Sequence, residues 1–89
     1  MVEMSNIYED AVEKFGKDHQ LLVTAEELSE AAVKIIQLVN RKRDVEDELI
    51  EELADCIIML RQCKVIYGAE LDAAVDRKLK KVAGHVYGS

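Results

Sequence analysis

Residues 45–67 read VEDELIEELADCIIMLRQCKVIY, with no proline or glycine inside and Gly68 immediately after. Leu49, Ile50, Leu53, Ala54, Cys56, Ile57, Ile58, Met59, Leu60, Cys63, Val65 and Ile66 cover nearly every direction around a helical axis. A helix that is apolar all round is expected to be buried all round, so this segment, from about Val45 to Tyr67, reads as the centre of the fold. Two acids, Glu52 and Asp55, nevertheless sit in its middle.

Working outward, a second long helix is expected from about Asp18 to Asn40. Leu21, Leu22, Ala25, Leu28, Ala32, Ile35, Ile36 and Val39 form a stripe of helical periodicity along it. Thr24 with Glu27 has the form of an internal capping box, which would move the start later. The polar run Asn40-Arg41-Lys42-Arg43-Asp44 reads as the connection between these two helices. A shorter helix precedes them, opened by Asn6 and Glu9 in capping-box spacing and stopped by Gly16. Ile7, Ala11, Val12 and Phe15 are its apolar face. A fourth helix follows from about Leu71 to Val82, with Leu71, Val75, Leu79 and Val82 as its stripe, and 84–89 reads as a loose tail. The expectation is a single all-α domain over 1–89, four helices with a central antiparallel helix hairpin.

The chain has 89 residues, too few for a deep core, since a domain of this size buries only about 60% of its unfolded surface. The remaining helices cannot cover the third on every side, so a continuous apolar face should stay open in one copy. A homo-oligomer is therefore expected, a helical-bundle dimer or a dimer of dimers. The 12 basic and 18 acidic side chains leave a net charge of −6, which argues against a nucleic-acid groove. A nucleotide substrate remains compatible, because a bound cation reverses the local sign. Cys56 and Cys63 are too far apart on a helix for an undistorted disulfide and read as reduced core residues of a cytoplasmic protein. Met1 to Met4 show no signal-peptide pattern, and the apolar run Cys56 to Leu60 is too short to span a membrane.

The chemistry lies in two acidic clusters: Glu26, Glu27 and Glu30 on the second helix, and Glu51, Glu52 and Asp55 on the third. Residues three apart share a helical face, so Glu27 pairs with Glu30 and Glu52 with Asp55. In an antiparallel hairpin facing residues keep a constant index sum. That sum is the same for Glu27 with Asp55 and for Glu30 with Glu52, and it places the apex at Arg41, inside the polar connection. A single Glu-x-x-Glu is commonly a solvated face. Two pairs in matching register bring four carboxylates together, which is unfavourable without a cation. Mg²⁺ suits such a set: it takes hard oxygen ligands and leaves positions for water and phosphate.

Glu26-Glu27-x-x-Glu30 and, 21 residues on, Glu52-x-x-Asp55 resemble the signature of the MazG-type all-α nucleoside triphosphate pyrophosphohydrolases. The flanks are similar too: Phe15-Gly16-Lys17 with His19-Gln20 before the first motif, and Glu51-Glu52-Leu53-Ala54-Asp55 leading into an apolar helix. The resemblance spans about residues 7–82. It implies that Glu27, Glu30, Glu52 and Asp55 hold Mg²⁺, with Mn²⁺ a possible substitute, and that Glu26 positions or activates the attacking water together with Glu27. It implies cleavage of an NTP or dNTP between the α- and β-phosphates, giving a nucleoside monophosphate and pyrophosphate. Lys78 matches a lysine of the last helix expected to meet phosphates. Gln20 lies where the family enters its nucleotide pocket. Many members carry arginine after that lysine; here Lys80 and Lys81 follow, and Lys81 is the candidate stand-in.

Other readings remain. The related phosphoribosyl-ATP pyrophosphohydrolases share the spacing. A di-iron carboxylate bundle needs Glu-x-x-His motifs, which this sequence lacks. A non-catalytic helical oligomerisation module would treat the acids as surface. His19 and His85 read as cap or surface residues, and neither a nucleophile triad nor a Gly-x-x-x-x-Gly-Lys loop is present.

Overall fold

The computed structural model describes residues 6–88. It is an all-helical bundle of α1 (Ile7–Phe15), α2 (Lys17–Val39), α3 (Glu46–Tyr67) and α4 (Ala69–Tyr87), with no strand among the described residues. Met1 to Met4 lie outside that range. Among the described residues no helix is long and apolar enough to cross a membrane.

Single glycines make two of the three junctions. Gly16 joins α1 to α2 at φ +89°, and Gly68 joins α3 to α4 at φ +59°. Both lie in the region that L side chains rarely adopt, so each stops one helix and redirects the next. The segment between α2 and α3 is the expected polar connection, where Lys42 also takes a positive φ of 54°. Glu46, Asp47 and Glu48 occupy the first turn of α3, where negative charge complements the helix dipole.

Three local expectations change. Asn6 precedes α1, but its side chain makes no capping hydrogen bond to the helix. Thr24 starts nothing: α2 is already helical at Lys17, and the Thr24 hydroxyl donates to the Gln20 carbonyl one turn back, at 2.7 Å. The segment 84–87, expected to be loose, continues α4, because one glycine costs a helix only about 1 kcal/mol relative to alanine.

The larger correction concerns which faces are buried. On α2 the buried residues are Gln20, Thr24 and Ala31, while Leu22, Leu28, Ile35, Ile36 and Val39 are exposed. On α3 only Cys56, Met59 and Gln62 are buried, while Ile50, Leu53, Ile57, Leu60 and Tyr67 are open to solvent. The expectation that α3 is buried all round therefore does not hold within one chain. The reason is geometric: α1 and α2 cover two of its sides, α4 meets it only weakly, and among the described residues nothing covers the rest.

The α2–α3 seam is accordingly polar. Gln20 Nε2 donates to Gln62 Oε1, the Cys56 thiol donates to the Glu27 carbonyl at 3.3 Å, and Lys34 meets Glu48 at 3.6 Å. Thr24 lies 3.7 Å from the Cys63 sulfur. Along α2, Gln20, Thr24, the half-buried Glu27 and Ala31 recur at alternating spacings of four and three, the pattern of a helix-packing seam, but the first three carry amide, hydroxyl and carboxyl groups. Both cysteines are free thiols.

The buried Gln20–Gln62 pair carries a stability prediction. Replacing either glutamine alone by leucine strands its partner's amide in the seam and should cost about 1–3 kcal/mol. The double leucine variant should recover most of that loss, as a double-mutant cycle in denaturant will read.

Candidate carboxylate site

Glu27 and Glu30 are held one turn apart by α2, and Glu52 and Asp55 by α3. The seam brings them together. One carboxylate oxygen from each of Glu27, Glu52 and Asp55 lies within 4.8 Å of the other two. Glu30 joins them at the open side, next to Glu52 and Glu27. Glu27 and Glu52 are half-buried, whereas Glu30 and Asp55 are exposed. The site thus has a dry floor and a wet rim. Oε2 of Glu27 and Oε2 of Glu52 are buried with no hydrogen-bond partner.

Unpaired acids in such a place resist ionisation. Burial raises the pKa of Glu27, and the neighbouring carboxylates of Glu30, Asp55 and Glu26 raise it further. Glu52 is raised by burial first, then by the adjacent Glu30 carboxylate, and by Glu27 and Asp55. The neighbouring Cys56 thiol is pushed up by burial and by the same four acids. No cation pairs with the cluster: among the described residues the ion pairs are Lys34–Glu48, Lys64–Asp72 and Lys80–Asp76.

The remaining sequence candidates are placed less closely. Glu26 is exposed one residue from Glu27. Gln20 lies two turns along α2, its amide engaged by Gln62 and its Oε1 by His19 Nδ1 at 2.7 Å. Lys78 and Lys81 are exposed on α4, which touches neither α1 nor α2. His19 stacks on Phe15, with ring centroids 5.5 Å apart.

Sequence reasoning missed Gln62. It is buried, it locks Gln20, and it lines an apolar cavity of about 230 Å³ between α1 and α3, with Ile7, Tyr8, Ala11 and Ile58. The seam spacing shared by Gln20, Thr24 and Glu27 is the signal that marks this face as buried. Helical geometry puts Asp55, Ile58 and Gln62 on one flank of α3. Arg61 donates to the hydroxyl of Tyr8, a residue of the cavity lining, at 2.9 Å.

Comparison of the chain with protein-family models, with curated proteins and with solved structures gives no match.

The raised carboxyls have a definite pH signature. Folding makes Glu27 and Glu52 hold their protons more tightly than the unfolded chain does, from an ordinary value of 4.5 upward. Between 4.5 and the raised values the native state binds more protons, so it gains stability as pH falls through that window and loses it as pH rises. In chelator, the melting temperature should climb as pH falls from neutral to about 5. A Glu27→Gln, Glu52→Gln double variant should melt higher at neutral pH and lose that slope.

Proposed function

We propose that the protein is a Mg²⁺-dependent nucleoside triphosphate pyrophosphohydrolase, cleaving an NTP or dNTP between the α- and β-phosphates to a nucleoside monophosphate and pyrophosphate. The observation that carries this reading is the pair of buried carboxylate oxygens without partners, on Glu27 and Glu52, in a cluster with Asp55. Orphaned acceptors are expensive in a protein interior, and a hard divalent cation is the partner their chemistry fits.

In this reading α2 and α3 form an antiparallel hairpin, and Glu27, Glu30, Glu52 and Asp55 hold the ion. Bound Mg²⁺ supplies neutralisation of the phosphate oxygens and of the four acids. The exposed rim at Glu30 and Asp55 leaves room for the phosphates to approach. Glu26, beside Glu27 and open to solvent, orients the attacking water and takes its proton. Pyrophosphate is the leaving group, and Lys78 and Lys81 neutralise charge on the phosphates. The apolar cavity at Tyr8 and Gln62 takes the base end of the substrate, with Gln20 holding the Gln62 amide in place. Two or more copies associate through the outward stripes of α2 and α3.

A second reading, a helical oligomerisation module without catalysis, draws on those same stripes, from Ile50 and Leu53 to Leu22 and Ile36. The carboxylates separate the two.

Mg²⁺ should raise the melting temperature, by the equivalent of about 2.7 kcal/mol at a hundredfold excess over its dissociation constant, and monovalent salt should not. With a panel of NTPs and dNTPs, the wild type should release pyrophosphate. Changing Glu27, Glu30, Glu52 or Asp55 to its amide should lower turnover by at least about a hundredfold while leaving the apo fold no less stable. Amide variants with wild-type rates, or a wild type inert to every nucleotide, would leave the oligomerisation module as the better account.

A further inference from the structure

The buried amides of Gln20 and Gln62 hold each other in one direction. Gln20 Nε2 donates to Gln62 Oε1, and each residue is only 5% exposed. On the α2 side, His19 Nδ1 lies 2.7 Å from Gln20 Oε1. An amide oxygen only accepts, so this ring nitrogen carries the proton. On the α3 side, Gln62 Nε2 donates to the Met59 sulfur at 3.4 Å. Turning both amides over together would set Gln62 Oε1 against that sulfur, and a thioether has no proton to give. Both ends therefore fix the same order of donation: His19 to Gln20 to Gln62, with the Gln62 amino group at its head.

The head of this relay lies in the wall of the cavity of about 230 Å³ between α1 and α3. Ile7, Ala11 and Ile58 line it with apolar surface, and its polar groups come from Gln62 and Tyr8. The Gln62 oxygen is taken by Gln20, so the amide has only N–H left to offer. Met59 engages one of its two N–H groups, and weakly, since a thioether is a poor acceptor. The Tyr8 oxygen accepts from Arg61 Nη1 at 2.9 Å, so the phenol also keeps a proton to give. Both polar groups in the cavity wall are thus donors.

Size and position narrow the occupant. The volume is below the range of about 300–1,000 Å³ that holds a whole drug-sized ligand, and it suits the flat ring end of a larger molecule. Gln20 stands two turns from Glu27 on α2, and Gln62 two turns from Asp55 on α3, about 10 Å in each case. That is the span between the far edge of a base and its phosphates.

We propose that this cavity selects nucleotides whose base turns an oxo group toward it, with Gln62 as the residue that reads the oxygen and His19 and Gln20 as the residues that orient it. The inference rests on the reading of the carboxylates as a pyrophosphohydrolase centre. An oxo group completes the Gln62 donor. An amino group at the same ring position brings donor against donor and leaves a buried N–H without a partner.

Pyrophosphate release is measured on two matched pairs, ITP against ATP and UTP against CTP, whose members differ by oxo for amino at one ring position. In each pair that is turned over, the oxo member should be favoured by at least about tenfold in kcat/KM. Gln62→Glu keeps an oxygen for Gln20 and replaces the donor by an acceptor, so the order should reverse. The double variant Gln20→Leu, Gln62→Leu removes the relay without stranding an amide, and the two rates should become equal. His19→Phe keeps a ring against Phe15 but gives Gln20 no proton, so the preference should shrink, a change that a merely structural histidine would not produce. Equal rates in the wild type, or a wild-type preference in the double leucine variant, overturn the proposal and leave the reaction standing. A second readout needs no turnover: IMP, AMP, UMP and CMP are titrated in Mg²⁺ while the side-chain amide NMR signals of Gln62 are followed. A wild type that releases no pyrophosphate, but whose Gln62 signals respond to IMP or UMP and not to AMP or CMP, refutes the reaction and keeps the oxo-selective cavity. A wild type that neither releases pyrophosphate nor shows that response overturns both.

Discussion

Four carboxylates held face to face in the seam between two helices set the terms for the rest of this molecule. A helix pair normally packs by turning its apolar stripes inward. Here α2 and α3 turn Glu27 and Glu52 inward, with Gln20, Thr24, Cys56 and Gln62 beside them, and leave Leu22, Ile36, Ile50 and Leu53 outside. The neutral polar groups of this seam are matched with one another, amide to amide and thiol to carbonyl. The two buried acid oxygens are not.

Magnitudes explain why the seam holds. Each like-charge pair along one helix opposes folding by only about 0.2–0.5 kcal/mol. Fully burying one side chain such as Met59 returns about 1.5–3 kcal/mol. The repulsion across the seam is larger, but the raised pKa values of Glu27 and Glu52 show how it is relieved: their charged forms are disfavoured. The amide lock between Gln20 and Gln62 then holds the register two turns away, as a buried polar pair does in a coiled coil. A one-residue slip of either helix would separate both the amides and the carboxylates.

Much of this was legible in the sequence. Glycines 16 and 68 marked the helix ends because their backbone conformations demand glycine, and the matched spacing of the two acidic pairs located the cluster. What misled was the reading of apolar periodicity as burial. Periodicity identifies a face that prefers to leave water, but it does not say which molecule covers it. The stripes on α2 and α3 are real, and they point away from each other's contact surface. Gln62 was invisible for the complementary reason: a glutamine in an apolar run carries no sign of being buried until its partner forty-two residues away is known. The end of α4 was misplaced because one glycine in a helix is a modest penalty, not a stop.

The corner at Gly68 has a geometric corollary. Helices α3 and α4 are joined through one residue, with no linker to average over directions. The azimuth at which α4 presents its stripe is therefore phased to α3 by a single pair of torsions, at φ +59° and ψ −133°. One inserted residue at this joint would rotate the stripe by about 100°, more than a quarter turn, and break the Lys64–Asp72 pair, while leaving the contacts among α1, α2 and α3 in place. The chain is thus tolerant of change along α4 and intolerant of any change in its length at the corner. Composition there is secondary to phase.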